Sequence, residues 1–178
     1  MPPDDIPQSD SAQGDALRQL DAHYQGMPPV AAMQVSISGY DGTVLRLHAP
    51  LAANVNDKGC AFGGSLASMM TLASWGLVAM RVQAAGLAAD VFVADSQVRY
   101  LAPLCADIEA EAELAADASW EEFITTLRER GRARTQLVGR VMLPGSVLSG
   151  SVLPGGVAPE GGGVAASFSA RYVAIAKG

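Results

Sequence analysis

The chain has 178 residues, 49% of them hydrophobic and only 6% aromatic, so it carries enough apolar surface for one domain with a core of small aliphatic side chains and methionines. Its formal net charge of -6 excludes a broad cationic surface of the kind that holds nucleic acid phosphates. The opening Met1-Pro2-Pro3-Asp4-Asp5 lacks the basic residue and apolar run of a secretory signal, and a cytoplasmic location is expected.

Residues 1–10 combine three prolines with three aspartates and read as a disordered tail, leaving residues 11–178 as one domain. From Ser11 to Tyr24, Ala16, Leu17, Leu20 and Tyr24 recur at helical spacing, and Met27-Pro28-Pro29 stops the pattern. Gln34 to Ser38 and Thr43 to Leu51 are strand-like, joined through Gly39-Tyr40-Asp41-Gly42 as a hairpin turn, with His48 on the solvent face. A polar loop over 52–62 leads into a uniformly helix-compatible run from Gly63 to Ala85 that Gly86 ends. Ser65, Ser68, Thr71, Ser74, Arg81 and Gln83 interrupt that apolar run, which predicts a buried core helix rather than a membrane span.

Val91 to Leu101 and Asp107 to Leu114 are the next strands, the second with Asp107, Glu109, Glu111 and Glu113 on one face. Ser119 caps a short helix that runs to Arg130 and stops at Gly131. Arg132 to Leu143 alternates again, and its arginines Arg132, Arg134 and Arg140 suit a place opposite the acidic strand face, at roughly 0.2–1 kcal/mol per cross-strand pair. The glycine- and proline-rich stretch 144–163 is a flexible insertion inside what would otherwise be a hairpin, completed by the strand Val164 to Ala176. Cys60 and Cys105 have no metal-ligand spacing, so no metal is expected, and they read as small buried hydrophobes rather than a disulfide. An antiparallel sheet has one face to cover, and the helix from Gly63 is the only element apolar enough to cover it. A sheet wrapped around one central helix follows.

Three blocks carry a resemblance. Asn54-Val55-Asn56-Asp57-Lys58-Gly59-Cys60-Ala61-Phe62-Gly63-Gly64-Ser65-Leu66, then Thr71-Leu72-Ala73-Ser74-Trp75-Gly76-Leu77, then Val93-Ala94-Asp95-Ser96-Gln97-Val98-Arg99-Tyr100-Leu101-Ala102-Pro103 together resemble the putative thioesterase family first described as the C-terminal domain of the YiiD acetyltransferase. The likeness spans most of residues 20–143 and resumes at Arg171-Tyr172-Val173-Ala174. It implies an α+β hotdog fold, about six antiparallel strands around one long helix, assembled as a homodimer or dimer of dimers. It also implies activity on acyl groups carried by coenzyme A or acyl carrier protein. The enzyme would need no cofactor of its own, because the substrate brings coenzyme A or phosphopantetheine. Some members decarboxylate malonyl-carrier protein instead of hydrolysing a thioester, and a noncatalytic acyl-binding domain is the alternative of another class. Neither nucleic acid nor membrane is an expected partner.

Gly63 and Gly64 at a helix start let a ligand approach backbone N–H groups that have no intrahelical acceptor, in the field of the positive helix end. Such groups hold an oxyanion. In the wider hotdog thioesterases a His stands where this chain has Phe62, an Asn stands six residues earlier, here Asn56, and an Asp or Glu base stands nine residues later, here Thr71. Asn56, Gly64 and Thr71 are therefore the catalytic candidates, and Asn54, Phe62, Gly63, Ser65 and Ser68 the substrate-contacting ones. No Asp, Glu or His occurs from Cys60 to Ala89, so a hydrolytic base has to come from elsewhere, with Asp57 and Asp95 as candidates. Ser65 and Ser68 lack the strand-turn-helix elbow of a nucleophilic serine. Lys58 and Arg99 read as solvated surface cations.

Overall fold

The computed structural model describes residues 8–145 and 163–177. Within them the chain runs α1 (Gln8–Gln25), α2 (Pro28–Ala32), β1 (Ser36–Tyr40), β2 (Leu45–Ala49), one 3-10 turn (Leu51–Ala53), α3 (Gly63–Ala84), β3 (Ala89–Tyr100), β4 (Ile108–Leu114), α4 (Trp120–Arg130), β5 (Arg132–Met142) and β6 (Val164–Ala176). The six strands form one sheet in the order β1-β2-β4-β5-β6-β3, every neighbouring pair antiparallel. Helix α3 packs against β2, β3, β4, β5 and β6. This is the hotdog arrangement, a sheet wrapped on one central helix.

Period-two alternation decides which side chains meet that helix. Leu45, Leu47 and Ala49 of β2, Ile108, Ala110 and Ala112 of β4, Leu137 and Val141 of β5, and Phe168, Ala170 and Tyr172 of β6 are all buried. By length and apolarity α3 could cross a membrane. In the fold it is the core, with Met69, Met70, Ala73, Leu77 and Val78 wholly covered.

The outer face of the sheet carries the charges. Register sets Glu111 between Arg46 on β2 and Arg140 on β5, and although its side chain is only 1% exposed, Arg140 Nε lies 2.7 Å and Arg46 Nε 3.6 Å from its carboxylate. Arg140 also bonds Glu113. The expected arginine strand thus lies beside the acidic one, but of its three arginines only Arg140 faces the acidic residues, while Arg132 and Arg134 fall beyond that pairing, opposite Ile175 and Val173 of β6. Two guanidinium groups make the buried carboxylate tolerable, and losing both would leave an uncompensated charge.

Local chemistry accounts for the element ends. Gly86 and Gly131 take positive φ, 69° and 67°, where the left-handed cap costs a glycine nothing sterically. Ser119 accepts from Glu122 N at 3.3 Å and opens α4. His48 lies on the outer face, 3.5 Å from Asp107 and 3.9 Å from Glu109.

Three expectations need correction. The first helix begins at Gln8, so residues 8–10 belong to it, and the rest of the expected tail lies outside the described residues. Met27-Pro28-Pro29 ends α1 but opens α2, because proline in a first helical turn loses no hydrogen bond and has the right φ. The hairpin turn falls later than expected. Gly39 and Tyr40 stay in β1, and the Asp41 carboxylate turns the chain by accepting from Thr43 N, Val44 N and the Thr43 hydroxyl at 3.0, 2.8 and 2.7 Å. Residues 146–162, most of the expected insertion, lie outside the described residues, while β5 and β6 pair as the hairpin reading required.

Helix α1 approaches α3 closely at Gly76. Tyr24 and Tyr172, both fully buried, donate to the adjacent carbonyls of Leu72 and Thr71 at 2.7 and 2.9 Å. Burial pushes both phenols above their ordinary pKa, so they remain protonated donors. Gly76 makes this possible, since a Cβ there would sit 2.2 Å from Tyr24 Oη, 2.9 Å from Leu20 Cδ2 and 3.0 Å from Leu45 Cδ2. Alanine normally helps a helix by about 1 kcal/mol over glycine. Here Gly76→Ala is expected to destabilise by about 1–3 kcal/mol through overpacking, read as a lower urea midpoint at unchanged slope.

Candidate active site

The loop before α3 is tied down residue by residue. Asn54 is 3% exposed, and its Nδ2 donates to Met33 O and Pro50 O, both at 2.9 Å, joining the loop to the ends of α2 and β2. Its carbonyl accepts from Phe62 N at 2.7 Å, and Val55 bridges Ala61, so the loop closes like a small hairpin. Asn56 organises the tip: its Oδ1 accepts from Lys58 N at 2.8 Å and Cys60 N at 3.1 Å, while its own N–H donates to Cys60 O at 2.7 Å. Gly59 turns the tip at φ +77°.

A second segment anchors this loop. Ala61 N donates to Leu104 O at 2.7 Å, and Cys60 is disulfide-bonded to Cys105 with their Cα atoms 4.1 Å apart. The bridge overturns the expectation of two separate buried thiols. A separation of 45 residues concealed the pairing, which depends on β3 running the length of α3 and delivering residues 101–107 back to the loop. Cys105 is exposed and Cys60 half-buried.

Phe62 is the N-cap residue of α3 and offers no side-chain cap, and the first turn has no acidic residue. The first amides of a 22-residue helix are thus left without a capping side chain, with the positive helix end behind them. Two aromatic rings flank them. The Phe62 ring, 57% exposed, folds over Gly64. Tyr100, 58% exposed, covers Gly63 and donates to its carbonyl at 3.0 Å. Tyr100 had no assigned role from the sequence, because only the packing of β3 on the helix start brings it there.

From this start a half-exposed stripe runs down α3 through Gly64, Ser68, Thr71 and Trp75, positions three and four apart, while most other positions are buried. Thr71 donates its hydroxyl proton to Ala67 O at 2.8 Å, leaving the oxygen only as an acceptor. It lies roughly 10 Å along the axis from Gly64. Trp75 Nε1 donates to Val91 O at 2.9 Å, and His23 stacks on its ring at 4.9 Å.

The fold brings Asn56, Phe62, Gly63 and Gly64 together at the helix start and aligns Ser68 and Thr71 on the stripe. Ser65 is buried. Asn54 is enclosed and committed to holding the loop, which separates it from the surface a substrate would touch. Asn56 Oδ1 is also committed, but Nδ2 has only a long 3.5 Å contact to Ala61 O, so the carboxamide can still donate. Of the carboxylates, Asp57 is exposed and lies 3.2 Å from Lys58 Nζ. Asp95 pairs with Arg171 on the outer face of the sheet, away from α3.

A Cβ at Gly64 would sit 2.3 Å from Phe62 Cε1, the far end of an exposed and movable ring. Gly64→Ala should therefore swing Phe62 aside and leave stability within about 1 kcal/mol of the parent. A thermal melt of this variant beside Gly76→Ala separates the two glycines, and a large loss for Gly64→Ala would contradict the account.

The model of a family described as putative thioesterase, YiiD C-terminal, matches residues 17–176. A crystal structure of a Chlorobaculum tepidum protein of unknown function is 27% identical, covering 90% of this chain and 94% of that one with a TM-score of 0.78. A putative thioesterase from Shewanella oneidensis shares 24% identity over 91% of this chain and 99% of its own, with a TM-score of 0.73. A Pseudomonas aeruginosa protein described as a probable thioesterase shares 21% identity over 90% and 95%, with a TM-score of 0.69. These last two likenesses speak for the fold, and the family match speaks for thioesterase-type chemistry. The uncapped helix start, the loop that frames it and a family match over residues 17–176 together identify the chain as a member of the YiiD C-terminal putative thioesterase family.

Proposed function

We propose that the chain acts on acyl thioesters of coenzyme A or acyl carrier protein, with the thioester carbonyl held at the first amides of α3. The observation that carries this reading is the uncapped, glycine-bearing start of a long helix, with donors and no anion of its own beside it. Negative charge developing on a thioester oxygen would meet fixed N–H groups already oriented for it. The Asn56 Nδ2–H adds one donor from the loop, and Phe62 and Tyr100 offer apolar walls for the acyl or pantetheine portion.

Hydrolysis is the reading that the family carries. Within this chain its base candidate is Asp57, exposed in the loop beside Lys58. A second reading, decarboxylation of a malonyl thioester, is favoured by one observation: the helix and its start present donors but no carboxylate or imidazole. Breaking the bond from the α-carbon to the carboxylate, with carbon dioxide leaving, requires stabilisation of an enolate oxygen and a desolvated carboxylate but no general base, and the α-carbon then takes a proton from water. The two readings share the oxyanion site and differ in what is delivered to it.

We also propose that a second copy adds to the free edge of β3. That strand pairs on one side only, with β6, and carries exposed Phe92, Val93 and Tyr100, with Leu101 next to them. A long edge strand with apolar side chains is a template for pairing unless something covers it. Sedimentation equilibrium should give a dimer or a multiple of one.

Purified protein incubated with acetyl-, malonyl- and long-chain acyl-coenzyme A, and with the carrier-protein equivalents, distinguishes the chemistries. Free thiol without carbon dioxide means hydrolysis, acetyl thioester with carbon dioxide means decarboxylation, and no turnover of any of them means an acyl-binding domain. Asn56→Asp keeps the acceptor for Lys58 N and Cys60 N and removes the donor. It is expected to melt within a few degrees of the parent while kcat/KM falls on the order of 100-fold. Undiminished turnover in that variant would remove Asn56 from the site.

A further inference from the structure

We propose that the Cys60–Cys105 bridge is a thiol–disulfide switch on the loop that frames the helix start, opened by attack of a small thiol on Cys105. The chemical half of this stands on the geometry of the bridge, and the regulatory half rests on the helix start being the thioester site.

The geometry points to one sulfur as the target and the other as the leaving group. Cys105 is exposed, whereas Cys60 is half-buried within the loop. A thiolate R–S⁻ attacking Cys105 Sγ forms R–S–Cys105, breaks the Cys60–Cys105 bond and sends the electron pair to Cys60 Sγ as thiolate. Cys60, the less accessible of the two and tied into the loop, is the sulfur left as the leaving thiolate. A second R–S⁻ attacking the mixed disulfide releases R–S–S–R and frees Cys105. In the reverse direction the Cys60 thiolate expels R–S⁻ from Cys105, and the bridge closes without any other oxidant. Thioester hydrolysis itself would release a thiol beside this bridge, so the class of molecule that opens the switch is the class the proposed reaction produces.

Opening the bridge would alter the loop because Cys60 is its joint. The backbone N–H and carbonyl of Cys60 are both bonded to Asn56, at 3.1 and 2.7 Å. With the bridge intact, that pair of bonds is fastened to the segment after β3 through the sulfurs and through the Ala61 N to Leu104 O bond at 2.7 Å. Without it, the single backbone bond remains. Disulfides exposed to small thiols and set in functional loops are the labile, regulatory kind.

The test uses the full chain in its bridged form, exposed to excess reduced glutathione and quenched with iodoacetamide. Mass mapping at early quench times should find glutathione on Cys105 and carbamidomethyl on Cys60, giving way to carbamidomethyl on both as a second glutathione attacks the mixed disulfide. Deuterium exchange over residues 54–62 should quicken on the order of tenfold as the bridge opens and slow again on reoxidation. Cys105→Ser should show the fast exchange from the outset and no response to glutathione. A bridge that survives excess glutathione in the folded protein, an adduct confined to Cys60, or a loop whose exchange is unmoved by opening would each overturn the switch. Acyl-coenzyme A turnover measured on both forms should fall on the order of tenfold on opening; equal turnover would overturn the regulatory half. If neither form turns over any thioester, the proposed function fails, while the mass and exchange results still decide the switch.

Discussion

Helix α3 is apolar almost all round, and it therefore has to be covered almost all round. An ordinary amphipathic helix lies on a sheet and shows its polar face to water. This one has its Met, Leu and Val side chains buried on several sides, and the sheet has to curve about it while α1 closes part of what remains. Small residues make the enclosure possible. Ala49, Ala110, Ala112, Ala133, Ala170 and Ala174 on the strands and Gly76 on the helix allow backbones to approach closely. Gly76 admits Tyr24, whose hydroxyl reaches the Leu72 carbonyl while Tyr172 from the opposite layer reaches that of Thr71. Two buried phenols thus fix the rotation and height of the helix against α1 and β6 with hydrogen bonds that water cannot compete for.

What the enclosure leaves open follows from that placement. The stripe through Gly64, Ser68 and Thr71 stays partly open as far as Trp75, which α1 and β3 close through His23 and Val91, and it begins at the amides that have no capping side chain. The loop before it has to arrive there in a defined shape, and Asn54 and Asn56 divide that work. Asn54 turns inward and binds the loop to α2 and β2, while Asn56 turns toward the tip and holds its own hairpin closed. Side-chain amides suit both tasks because each can pair with several backbone groups without bringing in a charge. Only the second leaves an N–H at the mouth of the site.

Much of this could be read from the sequence where local chemistry decides. The limits of α3, the Ser119 cap, the stops at Gly86 and Gly131 and the alternation of β4 and β5 are written in neighbouring residues, and they fell where they were expected to within a few positions. The acidic face of β4 and the arginines of β5 even indicated which strands pair. The features that escaped are those that depend on residues brought together from far apart, or on a side chain overriding its local pattern. Pro28-Pro29 looked like a stop but serves equally well as a start, and the Asp41 carboxylate moved the hairpin turn past the glycine at 39. Cys60 and Cys105, and Tyr100 over Gly63, become neighbours only once β3 has run the length of α3. The two asparagines looked alike in sequence, and their opposite orientations depend on Met33 and Pro50 standing behind the first of them.

The distribution of charge bears on what the site can do. Formal charges are gathered on the outer face of the sheet, where Glu111 lies buried between two arginines and Asp95 is matched by Arg171. The helix-facing side of the sheet is apolar, and α3 is without a carboxylate or imidazole. Electrostatics at the helix start are accordingly set chiefly by backbone dipoles, which act most strongly where a bound ligand displaces water. A hydrolase needs more than this, because a group must also take a proton from water. Decarboxylation needs no base for its C–C cleavage, only the enolate oxygen held and the carboxylate desolvated, after which the enolate carbon takes a proton from solvent. The absence of acid–base side chains along α3 is thus more than a missing part of a hydrolytic site. On the proposed reading it leaves a field that would hold an oxyanion, and the origin of any proton falls to the loop carrying Asp57 or to whatever covers the open edge of β3.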